Sequence, residues 1–171
     1  MSVTTKTGDD GYTDIIGGKR LPKDHPVVEC LGTLDELDAF LGDAKAALND
    51  IASGGDTAGI IEEIQKSLYT LMGILAGMPV PAGGTDADRL DGLIAELESR
   101  LPAFTSFAVP GANPVSAKLH IARTVCRRAE RRFVGLGLDS ETSAAVFPYI
   151  NRLSDLLFLL AQKEASGGLL L

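Results

Sequence analysis

The chain has 171 residues, 45% hydrophobic and 23% charged, a composition that supports one globular domain and excludes intrinsic disorder. Its formal net charge of -7 and pI near 4.8 exclude the basic footprint of a general nucleic-acid binder. Tryptophan is absent and aromatics make up only 5%, so the core has to be aliphatic. Cys30 and Cys126 stand in no metal-ligand spacing, and Met1 to Tyr12 lacks the apolar stretch of a secretory leader. Both features fit a reducing cytoplasm. No run reaches the roughly 18 apolar residues of a membrane span, so no membrane partner is expected.

Residues 1–26 have no helical period and are rich in glycine, threonine and charge, which predicts an extended loop. Helical patterning begins at Val27 and runs to about Leu48, with Val27, Cys30/Leu31, Leu34, Leu37, Leu41 and Leu48 along one side. Asp50 to Gly59 reads as a linker. A second helix is predicted from Ile60 to about Ala76, with a stripe of Ile61, Ile64, Leu68, Leu71 and Leu75, and Pro79 to Gly84 breaks it. Thr85 is a candidate cap for a third helix over Asp86 to Arg100. After a loop from Phe104 to Pro114, a fourth helix spans about Val115 to Leu136 and a fifth Ser143 to Ala165, with Pro148 near its start. The residues therefore predict an all-α bundle of about five helices over residues 27–165, preceded by a structured N-terminal loop, in a single domain.

Three segments carry chemistry. Arg123-Thr124-Val125-Cys126-Arg127-Arg128-Ala129-Glu130-Arg131-Arg132 places five arginines on one helix of an acidic protein. Leu119, Ala122, Cys126, Ala129, Phe133 and Leu136 form its buried stripe, which leaves the guanidinium groups on the surface. Guanidinium is the planar fork that suits phosphate and carboxylate, although a solvated face stitched by ion pairs fits the same pattern. The N-terminal loop Thr5-Lys6-Thr7-Gly8-Asp9-Asp10-Gly11, with Gly17-Gly18-Lys19-Arg20-Leu21-Pro22-Lys23-Asp24, offers glycines, hydroxyls, cations and paired carboxylates. These are parts of a phosphate site with a divalent cation nearby, and equally those of a polar terminus. Tyr149-Ile150-Asn151-Arg152-Leu153-Ser154-Asp155 sets Asn151 beside an apolar stripe, where an amide either satisfies backbone or contacts a ligand. Asp35 and Asp38 stand one turn apart on the first helix, as a solvent face or as partners for an arginine. His25 and His120 are too isolated to suggest a catalytic histidine or a metal site.

Together and in this order, these segments, with Pro22-Lys23-Asp24 and Gly32-Thr33-Leu34-Asp35-Glu36-Leu37, resemble the PduO-type ATP:cob(I)alamin adenosyltransferases over about Thr4 to Ala161. The resemblance implies a ferritin-like five-helix bundle, assembled as a homotrimer with active sites between neighbouring subunits. It implies transfer of the 5′-deoxyadenosyl group of ATP to cob(I)alamin, with Mg2+ at the triphosphate. It further implies that Thr5, Lys6, Thr7, Gly8 and Lys23 bind the nucleotide, and that Arg127 and Asn151 grip its phosphates and ribose side. Arg128 and Glu130 support that site. Arg123 pairs with Asp35 across the subunit boundary, and Phe107 covers the lower face of the corrin. A corrinoid reductase and an adenosylcobalamin-dependent enzyme would be further partners. The alternative is a module that binds and delivers adenosylcobalamin with little turnover, which would have no need of Lys23 and Arg127. The turn Pro110-Gly111-Ala112-Asn113-Pro114, Ile15-Ile16 and Asp38 depart from the family's usual residues.

Overall fold

The computed structural model describes residues 4–48, 55–81, 85–103 and 108–167. The N-terminal loop is more regular than its sequence predicts, because it folds into a small antiparallel hairpin. Strand β1 (Tyr12–Asp14) pairs with β2 (Arg20–Pro22) in the register Tyr12↔Pro22, Thr13↔Leu21, Asp14↔Arg20. Strands this short leave no alternation to read. The reversal depends on Gly17 and Gly18, at φ 95 and 77°, a region that side chains with a Cβ avoid. Leu21 is the hairpin's buried residue, and the tip lies close to the Ala76 carbonyl.

Five helices follow: α1 (Pro26–Leu48), α2 (Gly55–Leu75), α3 (Ala87–Arg100), α4 (Pro114–Gly135) and α5 (Ser140–Ala165). Their starts differ from the sequence reading for identifiable reasons. The α2 helix begins within the expected linker, because Thr57 is fully buried and donates its hydroxyl to the Glu164 carboxylate at 2.6 Å. A buried polar pair of this kind is invisible to hydrophobic periodicity. The cap of α3 is Asp86, which accepts from the Arg89 N–H, while the Thr85 hydroxyl donates to the Ala145 carbonyl of α5. Asp139 caps α5, which begins at Ser140, three residues before its expected start, and Pro148 lies inside the helix. The α2 helix stops at Gly77 (φ 93°), ahead of the proline-glycine stretch. Gly77 N–H donates to Ile74 O and Met78 N–H to Gly73 O, the paired bonds of a Schellman motif.

Side-chain contacts give the direction of each helix. The α1 and α4 helices run antiparallel, joined by Lys118–Asp43, Arg128–Glu36 and Arg132–Glu29. The α4 and α5 helices are antiparallel through Asn113–Glu164 and Cys126–Ile150, and α1 and α2 through Gln65–Asp38 and Lys45–Glu62. The α3 helix lies parallel to α5, with Arg152 on Asp91. The result is an up-down bundle with one aliphatic core drawn from all five helices. By length and composition α5 could cross a membrane, contrary to the sequence expectation that no segment qualifies. In the bundle its apolar residues Val146, Ile150, Leu153, Leu157 and Leu160 are all buried.

Two predictions follow from this packing. Thr57→Val strands the buried Glu164 carboxylate, so denaturant unfolding at fixed protein concentration should show a loss of about 1–3 kcal/mol. The exposed Lys66–Glu62 pair serves as the control, and Lys66→Ala should change stability by less than about 0.5 kcal/mol. Cys30 and Cys126 are fully buried; burial pushes the Cys30 thiol up to about 12 and raises that of Cys126 as well. A thiol reagent at pH 8 should therefore label neither cysteine until denaturant is added.

Candidate nucleotide-binding edge

Five of the six cations of α4 divide between two faces, while the sixth, Arg131, is exposed and donates to the Arg127 carbonyl at 3.0 Å. Toward α1, Lys118 meets Asp43 at 2.5 Å, Arg128 meets Glu36, and Arg132 reaches Glu29 at 2.5 Å as well as the Thr33 hydroxyl. The three acids stand seven residues apart, so they form one row on α1. Toward α5, Arg123 and Arg127 line a shallow hollow of about 270 Å³ with Glu98, Ser154, Asp155 and Phe158. Among the described residues neither guanidinium makes a hydrogen bond or ion pair, and Arg123 Nε is buried without a partner. Glu98 and Asp155 line the same hollow but come within ion-pair distance of neither guanidinium, so both forks remain open to an anionic ligand.

The same edge carries Asn151 and Glu130. The sequence placed Asn151 beside an apolar stripe, whereas it is exposed, and its Nδ2 donates to Glu130 Oε1 at 3.0 Å. That bond engages the amide nitrogen and leaves the side-chain oxygen available as an acceptor. His120 is buried close by. Burial foremost, and then the neighbouring Arg123 charge, lower its pKa and keep the ring neutral, so it adds no cation to the site. On its other side Arg123 borders an apolar hollow of about 270 Å³ formed with Pro110, Ala117, His120 and Ile121. Asn113, in the turn that departs from the family pattern, caps α4 by accepting from Ser116 N–H and donates to the Glu164 carbonyl. Phe107 lies outside the described residues.

The N-terminal loop gathers the other predicted nucleotide residues. Thr5 and Thr7 hydroxyls are 2.9 Å apart, and Lys6 adopts a positive φ of 60° between them. The Lys23 ammonium lies over Gly8, where an added Cβ would sit 3.2 Å from Nζ. Gly8 is thus the residue that lets Lys23 close on the loop. Lys23 N–H donates to Gly11 O at 2.9 Å, which ties the second half of the loop to the first.

No hydrogen bond or ion pair among the described residues links residues 5–24 to α4 or α5. Nor does one chain bring Asp35 to Arg123: Asp35 is exposed on α1, and the acids that meet α4 are Glu29, Glu36 and Asp43. Arg128 faces α1, away from Arg127. The sequence reading named none of those three acids as partners, although their seven-residue spacing opposite a cationic helix was a usable signal. Among the described residues no group of three His, Cys, Asp or Glu side chains could hold a metal.

Relatives of this chain are numerous. It is 40% identical to human corrinoid adenosyltransferase MMAB over 95% of its own length and 68% of that protein's. It is 37% identical to corrinoid adenosyltransferase PduO of Citrobacter freundii over 96% of this chain, spanning half of that longer protein. The Bacillus subtilis corrinoid adenosyltransferase is 38% identical, with 95% of this chain and 86% of that protein aligned. A solved variant of the PduO-type ATP:corrinoid adenosyltransferase from Lactobacillus reuteri, complexed with cobalamin and ATP, superposes with a TM-score of 0.87 at 31% identity, covering 96% of this chain and 94% of that one. Another variant of the same enzyme, complexed with ATP, gives a TM-score of 0.82 at 32% identity, covering 96% and 94%. The cobalamin adenosyltransferase family model matches residues 3–164, and with the bundle and motifs above this chain belongs to that family.

Proposed function

We propose that Arg127, with Asn151 and Glu130 on the α4–α5 edge, receives the triphosphate and ribose of ATP, that Arg123 beside it pairs with Asp35 of a neighbouring copy, and that the loop Thr5–Lys23 closes the nucleotide site. The chain is an ATP:corrinoid adenosyltransferase: it transfers the 5′-deoxyadenosyl group of ATP to cob(I)alamin, giving adenosylcobalamin and triphosphate. The observation that carries the site is the division of α4. Its cations toward α1 are matched by acids, while Arg123 and Arg127 are left unmatched beside the one exposed amide of the family motif.

Cob(I)alamin is itself a strong nucleophile, so no general base is needed. The cobalt electron pair forms the bond to C5′, the C5′–O bond breaks, and its pair leaves on the triphosphate oxygen. The chain's task is to align those atoms and to stabilise the charge of the departing polyanion. Arg127 and Lys23 supply fixed positive charge there, Arg123 closes the hollow, and Asn151 offers an acceptor to a ribose hydroxyl. Arg128 serves indirectly, by anchoring α4 to Glu36. Magnesium, when bound with ATP, would share the charge of the triphosphate with Arg127 and Lys23. The hollow under Pro110 and Ile121 is apolar, which suits a corrin ring, and Phe107 is the aromatic assigned to cover that ring's lower face.

We take the site to be shared within a homotrimer, with the loop from one subunit and the edge from its neighbour, since among the described residues no hydrogen bond or ion pair joins the two within one chain. Asp35, exposed and unmatched, then meets Arg123 of the adjacent copy. Two free, buried cysteines accord with a reducing cytoplasm. A reductase supplying Co(I) and an enzyme consuming adenosylcobalamin complete the proposed partners.

Anaerobic absorbance spectra of chemically reduced cobalamin with protein and ATP test the reaction. The cobalt–carbon product spectrum should appear catalytically, and stoichiometric binding without turnover would favour a delivery module instead. Lys23→Ala and Arg127→Ala should each raise the KM for ATP roughly ten- to a hundredfold, the worth of one charge-assisted bond, while corrinoid binding persists. Mixing those two variants should restore the unaltered KM for ATP at about a quarter of the sites if loop and edge come from different subunits. No recovery in verified mixed trimers would place both halves within one chain.

A further inference from the structure

Arg20 has no part in the roles assigned above, yet it is the most connected side chain of the N-terminal loop. Its Nη2 donates to the Thr7 carbonyl at 2.7 Å and to Asp10 Oδ2 and Oδ1 at 2.8 and 2.9 Å. Its Nη1 reaches Asp14 Oδ2 and Oδ1 at 3.3 and 3.4 Å, and the guanidinium carbon lies 5.8 Å from the centre of the Tyr12 ring. Asp10 is held from a second side by the Tyr12 N–H at 3.2 Å. One planar fork thus ties the first half of the loop, the turn and β1 to β2.

Stability does not explain this arrangement. The side chains are 39%, 61% and 56% exposed at Arg20, Asp10 and Asp14, and exposed pairs contribute little to folding. Placement explains it better. The loop carries Lys6, Lys19, Arg20 and Lys23 against Asp9, Asp10, Asp14 and Asp24, so its acids and bases balance. A polyanion is repelled unless some of those carboxylates are already engaged. Arg20 engages two of them on the β2 side, and the same fork turns the Thr7 carbonyl toward itself.

We propose that Arg20 is a positioning residue for ATP: by holding the Thr7 carbonyl and the Asp10 and Asp14 carboxylates, it leaves the Thr5 and Thr7 hydroxyls, Lys6 and Lys23 to face the triphosphate. The proposal rests on the reading of Thr5–Lys23 as the nucleotide loop. Lysine replaces it only in part, because a point ammonium lacks the planar fork that reaches three acceptors at once.

The test compares Arg20→Ala, Arg20→Lys and the triple variant Arg20→Ala/Asp10→Asn/Asp14→Asn with the unaltered enzyme, using ATP and chemically reduced cobalamin. Arg20→Ala should raise the KM for ATP about tenfold, as misplaced binding groups do. Its kcat at saturating ATP, KM for corrinoid and melting temperature should stay near the starting values. Arg20→Lys should recover only part of the loss. Removing both carboxylates should bring the KM for ATP down again, because the repulsion is then gone. An unchanged KM in Arg20→Ala overturns the proposal, as does a raised KM that the two asparagines fail to lower. Lys23→Ala, measured alongside, separates the causes of failure. If it raises the KM for ATP and Arg20→Ala does not, the loop still binds nucleotide and only the role of Arg20 falls; if neither variant responds, the nucleotide-loop reading falls with it.

Discussion

The row of acids on α1 determines what α4 can do. Glu29, Glu36 and Asp43 each draw one cation of α4 inward, to Arg132, Arg128 and Lys118. Each pair is partly exposed, so none contributes much to stability alone. Their combined effect is rotational: with three side chains committed to α1, the helix can present Arg123 and Arg127 only toward α5. Because Cys126 and Ala129 are buried between those two faces, the guanidinium groups cannot swing from one to the other. The unmatched charge is therefore fixed by the packing that surrounds it, as a preorganised electrostatic site requires.

The opposite side of that edge is set by α5. Its apolar residues leave Asn151 at the rim of the buried stripe, and Glu130 then decides which end of the amide faces out. Asn113 and Thr57 lock the other end of α5 through Glu164, one at its carbonyl and the other at its carboxylate. The edge where two guanidinium groups, an amide and a carboxylate meet is thus braced from both ends by polar contacts that periodicity does not reveal.

Much of the bundle was legible from stripe spacing alone, because aliphatic positions such as Leu34, Leu37, Leu41 and Ile150, Leu153, Leu157 repeat at helical intervals and are buried as expected. Helix starts were less legible, since they depend on single polar atoms: Asp86 and not Thr85 at α3, Asp139 at α5, and the Thr57–Glu164 pair in α2. The hairpin escaped notice because three-residue strands carry no period. For the site, residue types pointed to a polyanion, and the motif order pointed to the family. Which arginines were already neutralised could not be read from their spacing: Arg127 and Arg128 are neighbours in sequence, and only the fold sends one outward and the other to Glu36.

The position of α5 also governs how the chain is made. It touches α2, α3 and α4 and supplies Val146, Tyr149, Ile150, Leu153, Leu156, Leu157, Leu159 and Leu160 to the interior. A ribosome releases it after the three helices whose apolar faces it covers. During synthesis α1 to α4 consequently emerge with their shared inner surface open to water, and the core closes only once α5 is free to enter it. Early segments in that state are candidates for chaperone capture and for pairing with the wrong neighbour. Truncation within α5 would prolong the exposed stage indefinitely, so defects there should register as failed biogenesis before they register as lost catalysis.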